Sequence, residues 1–350
     1  MRFGVIGGGG KVGQLRVQTI HENVDTQLVA ILDLSEDSAR AVAGDAEVFT
    51  DLDQFLSVEM DAVIISTPPH FHEEACLKAL AAGCHVLVEK PFSSSAESCR
   101  RMIDAGQKAN RHVAVGFNMR YYPAFAYVKD AVTSGKIGQL THVRAFGGHE
   151  GTVHFTHDWE YRVPMTGGGA TWDIGIHVTD IVRHILGEVT SVYGVSSETV
   201  WNLEGSEDNA IAIFRNPEGI AATYQATWGD WRGYQFVIEA HGTHGMVRGS
   251  YAPMRNLLIT MPEPGGKQTV TKVNYFGIEV REKLKSWKTT CTISFAEELC
   301  DFLKVCGGGT SVRSADANAG LRSIEIADAI KQSSLTNKAV ELPILHPVRA

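Results

Sequence analysis

The chain of 350 residues has no Lys/Arg-rich tract and carries 40 acidic against 32 basic side chains, a formal charge of −8. That leaves no basic excess to meet a phosphate backbone, so nucleic acid is not an expected partner. No apolar run approaches membrane-spanning length, and Met1 and Arg2 lead straight into an apolar segment without a charged and hydrophobic leader. The expectation is a protein neither secreted nor membrane-bound. The six cysteines (Cys76, Cys84, Cys99, Cys291, Cys300, Cys306) lack CxxC spacing, which points to reduced, mostly buried thiols and a cytoplasmic location. Internal repeats and low-complexity linkers are also absent. At roughly 100–200 residues per domain, the length implies two domains.

Glycine is concentrated at the N-terminus. Phe3 to Ile6 is a short apolar run ending in glycines, which reads as a buried parallel strand feeding a tight turn. Gly8, Gly10 and Gly13 fit GxGxxG, in which missing side chains let backbone N–H groups and a helix N-terminus approach a pyrophosphate. Gly7 and Gly9 also fit the first two positions, with Val12 at the third, so two registers stand. A helix over Val12 to His21 and a second strand, Leu28 to Asp33, follow. Asp33 lies twenty residues past Gly13, where a carboxylate accepts hydrogen bonds from the adenosine ribose hydroxyls. The same charge repels a 2′-phosphate, so NAD is favoured over NADP as cofactor. Glycine-rich turns occur in ordinary loops; the order strand, glycines, helix, strand, acid is what specifies a dinucleotide site.

Helices and apolar strands then alternate. Helices are expected over Ser35 to Ala43, Leu52 to Ser57, His72 to Ala82 and Ala96 to Ala109, with strands at Val48 to Thr50, Asp61 to Thr67, Cys84 to Pro91 and from His112. This is the grammar of a doubly wound parallel sheet complete by about residue 120. Ser66, Thr67 and Pro68 end one strand, where open parallel sheets place ligands; the prolines read equally as plain turn residues. Glu89 and Lys90 end the next strand just before Pro91. They read either as a surface ion pair or as chemistry at the nicotinamide end of the crevice.

Beyond a helix over Ala124 to Ser134 the grammar changes. Segments near Leu140 to Gly148, Thr190 to Thr199, Asn209 to Arg215, Ile220 to Trp228, Gln235 to Ala240 and Leu257 to Thr260 alternate and are rich in β-branched and aromatic residues. They imply an open, mostly antiparallel sheet. Phe295 to Val305 and Ala315 to Ser333 read as closing helices, and Lys338 to Leu342 as a last strand. The domain division is 1–121 for dinucleotide binding and 122–350 for substrate binding and oligomerisation.

Within the second half, GGGATWDIGIHVTD spans Gly167 to Asp180. On a helix Asp173 and His177 share one face, about 40° apart around the axis. A carboxylate beside an imidazole suits a general base working near neutral pH; an ordinary helix-surface pair is the other reading. His142, His149, His154 and His157 are spaced by 7, 5 and 3, which matches no closed metal site, so none is assigned. Trp159, Tyr161 and Arg162 either line a sugar pocket or serve as core and interface residues.

GVIGGGGKVG, TPPHFHEEACLKALAAGCHVLVEKP, GFNMRYYPAF, GGGATWDIGIHVTDIVRHILGE and FAEELCDFL with its IADAI counterpart resemble the glucose-fructose oxidoreductase / myo-inositol dehydrogenase (Gfo/Idh/MocA) family over nearly the whole chain. The resemblance implies an N-terminal Rossmann domain, a C-terminal α+β domain whose open sheet mediates homodimers or homotetramers, and a bound nicotinamide cofactor. It implies Lys90 as catalytic lysine, Asp173 and His177 as its partners, and Asn118 near the nicotinamide. The expected cofactor groove comprises Gly8, Gly9, Gly10, Lys11, Val12, Gly13, Asp33, Ser66, Thr67, Pro68, His72, Glu89, Lys90 and Asn118. The expected substrate contacts are Lys90, Trp159, Arg162, Asp173 and His177. The glycine loop holds one residue more than the commonest family spacing.

These groups suit oxidation of a secondary alcohol of a sugar, inositol or sugar derivative. His177, oriented by Asp173, takes the hydroxyl proton while Lys90 stabilises the developing alkoxide, or the two exchange roles. Two alternatives remain: an NAD-dependent glycosidase acting by transient oxidation and elimination, and a catalytically silent sugar-binding regulator.

Overall fold

The structure is a computed structural model that describes residues 1–344. In chain order the elements are β1 (Arg2–Ile6), α1 (Lys11–Glu22), β2 (Gln27–Leu32), α2 (Glu36–Ala43), β3 (Glu47–Phe49), α3 (Leu52–Leu56), β4 (Ala62–Ile65), α4 (His72–Ala81), β5 (His85–Glu89), α5 (Ala96–Ala109) and β6 (Val113–Gly116). Then come α6 (Pro123–Thr133), β7 (Leu140–Gly148), α7 (Val163–Thr166), α8 (Ile174–Leu186), β8 (Ser191–Ser197), β9 (Asn209–Arg215) and β10 (Ala221–Thr227). The rest are β11 (Gln235–Gly242), β12 (Gly245–Tyr251), β13 (Arg255–Thr260), β14 (Thr269–Asn274), α9 (Phe276–Leu284), α10 (Lys288–Cys306), α11 (Ala317–Thr336) and β15 (Val340–Glu341).

The chain forms two compact units. The first holds Met1–Tyr121, Pro164–Gly167 and Glu282–Arg322; the second holds Tyr122–Val163, Gly168–Arg281 and the residues from Ser323 onward. Glu282–Arg322, late in the chain, packs with the first unit. The cause is a stripe on α10. Leu299 and Phe302 are buried in the same cluster as Phe3, Val5, Val17 and Ile20, and the rings of Phe3 and Phe302 lie 6.4 Å apart. Burying each such side chain contributes about 1.5–3 kcal/mol, which draws the late helix back onto the first core.

The first unit carries a six-stranded sheet in the order β3-β2-β1-β4-β5-β6, every neighbouring pair parallel. Its strands are buried on both faces, which explains their continuous apolar composition. Ile6 pairs with Leu32 and Ile65, and Glu89 with Gly116. Gly7, Asp33, Ser66 and Lys90 therefore emerge along one carboxyl edge, where the strand order reverses between β1 and β4 and where such sheets bind their ligands.

The second unit carries a nine-stranded sheet, β14-β13-β12-β11-β7-β10-β9-β8-β15, antiparallel throughout except for the parallel pair β7 and β10. β12, β14 and α9 were not expected from the sequence. β12 buries Val247, Gly249 and Tyr251 in alternation, but a glycine at one of these positions breaks the apolar pattern in the sequence, and β14 is an edge strand with almost no burial. One face of the sheet is covered: a Cβ at Gly147 would meet Val178 and Ile174 of α8, and one at Gly249 would meet Ala124 of α6. The opposite face leaves Tyr193, Val195, Ile211 and Ile213 of β8 and β9 about half exposed, at 42–53%.

No described helix is long and apolar enough to cross a membrane. Of the thiols, Cys76, Cys84 and Cys99 are buried, Cys291 and Cys306 are half-buried, and Cys300 is exposed on α10. The expectation of mostly buried thiols is corrected to half of them, because α10 turns Cys300 away from the stripe that packs on the core.

Candidate active site

The glycine loop takes neither register whole. Gly7 sits at φ +79°, a left-handed conformation that disfavours side chains, and a Cβ there would lie 2.8 Å from the Ser66 carbonyl oxygen. A Cβ on Gly13 would lie 2.0 Å from the Gly7 carbonyl oxygen. Gly7 thus makes the tight turn and Gly13 the close helix–strand packing, with five residues between them instead of the four in GxGxxG. Gly8, Gly9 and Gly10 span the turn, a Cβ on Gly8 meeting Ile31 and one on Gly9 meeting Ser38 and Asp33.

α1 then starts at Lys11 behind Gly10, whose missing side chain supplies no cap, and Lys11, Val12 and Gly13 form a first turn without an acidic residue. A helix N-terminus with that character accepts an anion. Asp33 closes the cradle: its Oδ2 accepts the Gly9 N–H at 2.8 Å and its Oδ1 the Ser35 N–H at 3.0 Å. The carboxylate is thereby fixed beside the loop, as a ribose acceptor requires.

Three of the expected groove residues are held by contacts within the protein. His72 is wholly buried, with Nε2 2.7 Å from the Thr67 carbonyl oxygen and Nδ1 3.2 Å from that of Phe92. Burial pushes its pKa down, so a neutral ring clips the loops after β4 and β5 together. Glu89 is an interior ion-pair partner and not a surface one. Its side chain is nearly buried, and its Oε1 accepts from Nε of Arg16 at 2.6 Å. Asn118 is buried and donates from Nδ2 to Ser294 Oγ at 2.9 Å. Ser66 and Thr67 bring buried hydroxyls to the edge that find no hydrogen-bond partner among the described residues, and Lys90 follows Glu89 half-buried.

Arg16 is the residue sequence reasoning missed in this unit. Its fully buried guanidinium lies between Glu89 and Glu298, 2.6 Å from the latter, and 3.7 Å over the Phe295 ring. Burial pushes the Glu298 carboxyl up to about 7; Glu89 adds to the rise, while Arg16 and Arg120 oppose it. Tyr121 faces the same group and is itself raised by burial and by Glu298. Nothing in the spacing of residues 16, 89 and 298 announces this contact.

In the second unit α8 begins at Ile174, and Asp173 is the residue before it, with φ −91° and ψ −91°. The Gly-rich turn runs on to residue 173 before the helix starts, so Asp173 caps α8 and His177 lies within it. Asp173 Oδ2 accepts from His149 Nε2 at 2.8 Å and from the Trp228 indole N–H at 3.1 Å. The Gly151 N–H donates to His149 Nδ1 at 3.0 Å, which places the ring proton on Nε2, facing the carboxylate. His149 had been grouped only with the neighbouring histidines, and its pairing lies 24 residues away in sequence. His177 is buried within the first turns of α8. Trp159 is half-buried in a short 3-10 turn, Asp158–Tyr161, and Arg162 is exposed and ion-paired to Asp158 at 3.3 Å. The side chain of His154 lies outside the described residues.

A parallel sheet with a glycine cradle and a fixed acid at its switch point defines a dinucleotide-binding oxidoreductase fold. Residues 1–117 match the oxidoreductase family with NAD-binding Rossmann fold, and residues 125–248 match the GFO/IDH/MocA C-terminal domain. The chain belongs to the Gfo/Idh/MocA family. It is 26% identical over 348 residues to inositol 2-dehydrogenase of Rhizobium meliloti (strain 1021), covering 98% of this chain and 99% of the relative. It is 26% identical to levoglucosan dehydrogenase of Pseudarthrobacter phenanthrenivorans, with 81% and 80% covered. A solved structure of levoglucosan dehydrogenase in complex with NADH shares the fold with a TM-score of 0.85 at 24% identity, covering 99% of this chain and 100% of that one.

Glu298 makes stability depend on pH. Its folded value near 7 exceeds the ordinary 4.5, so the native state keeps a proton that the unfolded chain releases between those values. Its contribution is fully present below the lower value and is lost as pH rises through the upper one. Glu298→Gln removes this dependence. The melting temperature of the variant relative to the parent is expected to rise from about pH 5 to about pH 8; a pH-independent difference contradicts the assignment.

Proposed function

We propose that this chain is an NAD-dependent dehydrogenase that converts a secondary alcohol on the ring of a cyclic polyol or sugar derivative to the ketone, and reduces it in reverse. The observation that carries this reading is end-to-end likeness to an inositol 2-dehydrogenase, 98% of one chain on 99% of the other, together with the Gly7–Gly13 cradle. The named relatives include proteins for inositol, levoglucosan and D-glucosides, whose common chemistry is a secondary hydroxyl on a ring.

NAD, when bound, supplies the acceptor for the carbinol hydride. His177 takes the hydroxyl proton on an imidazole nitrogen, a task suited to a group titrating near neutrality. The role of the Lys90 ammonium is to stabilise a developing alkoxide. Asp173, with two donors on Oδ2, is held as a fixed carboxylate that favours the imidazolium formed on His177. Trp159 offers an aromatic face to ring C–H groups, whereas the Arg162 guanidinium already meets Asp158, so Trp159 is the stronger substrate contact. A cytoplasmic location fits the buried thiols of Cys76 and Cys84.

The test is a panel of inositols, anhydrosugars and glucosides assayed for NADH formation. On the best substrate, Lys90→Met and His177→Asn are expected to lower kcat by about 10²- to 10⁴-fold with NAD affinity retained. Values within about threefold of the parent, smaller than one acid–base contribution, reject both roles. Sugar release without net NADH favours the glycosidase alternative.

Asp33 sets cofactor choice, since Leu34, Ser35 and Glu36 offer no cation for a 2′-phosphate. NAD is expected to bind more tightly than NADP, and Asp33→Ser to narrow the gap by about tenfold, one close charge repulsion. Equal or tighter NADP binding by the parent overturns this.

The half-exposed apolar face of β8 and β9 suits isologous pairing with a second copy. Light scattering at micromolar concentration is expected to report a dimer or tetramer, and a monomer mass contradicts the assembly.

A further inference from the structure

The cluster of Arg16, Glu89 and Glu298 has no place in the chemistry described above, yet it lies directly behind Lys90. Taking a guanidinium and two carboxylates out of water costs several kcal/mol per ion, and a buried ion pair seldom adds stability over apolar packing of the same volume. What a planar guanidinium does supply is direction, because its fork fixes the groups it binds. Here Nε and Nη2 of Arg16 both reach Glu89 Oε1, at 2.6 and 2.5 Å, and Nη2 also meets Glu298 at 2.6 Å. The other Glu89 oxygen accepts the backbone N–H of Lys90 at 3.3 Å. Room for the cluster comes from the paired strand: a Cβ at Gly116 would lie 2.8 Å from Arg16 Nη2 and 3.1 Å from Glu89 Oε2. Phe295 closes it from α10.

The guanidinium, the carboxylate and the Lys90 amide thus form one continuous chain of contacts ending on the backbone that presents the lysine. We propose that Arg16, seated on Glu298, is a positioning residue: by holding the Glu89 carboxylate in the interior it fixes the backbone at the end of β5, and with it the direction in which Lys90 presents its ammonium. This rests on the reading of Lys90 as a catalytic residue. α1 then has two tasks one turn apart, its N-terminus serving the cofactor and Arg16 serving the lysine.

The experiment is a pair of double-mutant cycles between the cluster and Lys90 in the full-length chain, with kcat and KM measured at saturating NAD on the best substrate of the panel. Glu89→Gln keeps the shape and an acceptor for Arg16, which still has Glu298 as its ion pair; Arg16→Lys keeps the charge and loses the fork. Each is expected to lower kcat by about 10- to 100-fold, the cost of displacing a reacting group by a fraction of an ångström to an ångström, with KM and NAD affinity within about threefold. In a Lys90→Met background the same substitutions are expected to change the residual kcat by less than about twofold, because a residue acting only through Lys90 has nothing left to act on.

A merely structural role predicts the same fold-loss in both backgrounds, and that result overturns the proposal, as does a kcat within about twofold of the parent for Glu89→Gln. Should Arg16→Lys not fold, Glu89→Gln decides by the same criteria. If Lys90→Met alone leaves kcat within about threefold, the catalytic reading of Lys90 fails and this inference with it. A large loss from Lys90→Met with equal cluster effects in both backgrounds removes this inference only.

Discussion

The close approach of α1 to the end of β1 is the constraint on which the first unit depends. It exists because position 13 has no side chain; any Cβ there would lie inside contact distance of the Gly7 carbonyl oxygen. The approach brings the helix N-terminus over the loop, where unsatisfied N–H groups suit an anion. One turn further along, the same placement drops Arg16 into the interior between β5, β6 and α10. A single steric allowance therefore sets both the cofactor cradle and the ion cluster behind Lys90.

Much of this unit is legible in sequence because its signals are local. A short apolar run before glycines, an acid after the second strand and strand–helix alternation need only neighbouring positions to be read, and the structure places each element within a few residues of expectation. The glycine register is not legible, since Gly7 to Gly10 are identical letters, and only φ at Gly7 and the packing at Gly13 separate them. Glu89 shows the limit of a local reading: next to Lys90 it suggests a surface pair, whereas its ion-pair partner, Arg16, is 73 positions away. The return of α10 to the first core has the same character, because Leu299 and Phe302 read as an ordinary apolar helix face until Phe3 and Val17 are seen opposite.

In the second unit the alternation of β8, β9 and β10 is plain in sequence, while the helix start at Ile174 is not. A DxxxH spacing predicts a shared helical face only if both residues are helical, and the Gly-rich run before Asp173 shifts the start by one residue. The carboxylate then turns to His149 and Trp228, from the end of β7 and the residue after β10, two strands that lie side by side in the sheet. Their parallel pairing, unusual in a sheet otherwise antiparallel, brings His149 and Trp228 to the same edge. That convergence depends on topology and has no counterpart in residue spacing.

The most direct measurement of the central claim is isotope transfer. A ring substrate deuterated at the carbinol carbon, incubated with the enzyme and NAD, is expected to yield reduced cofactor carrying deuterium on the nicotinamide ring, detectable by mass spectrometry and NMR. Deuterium appearing only in solvent, or product formed with no labelled reduced cofactor, would contradict the account.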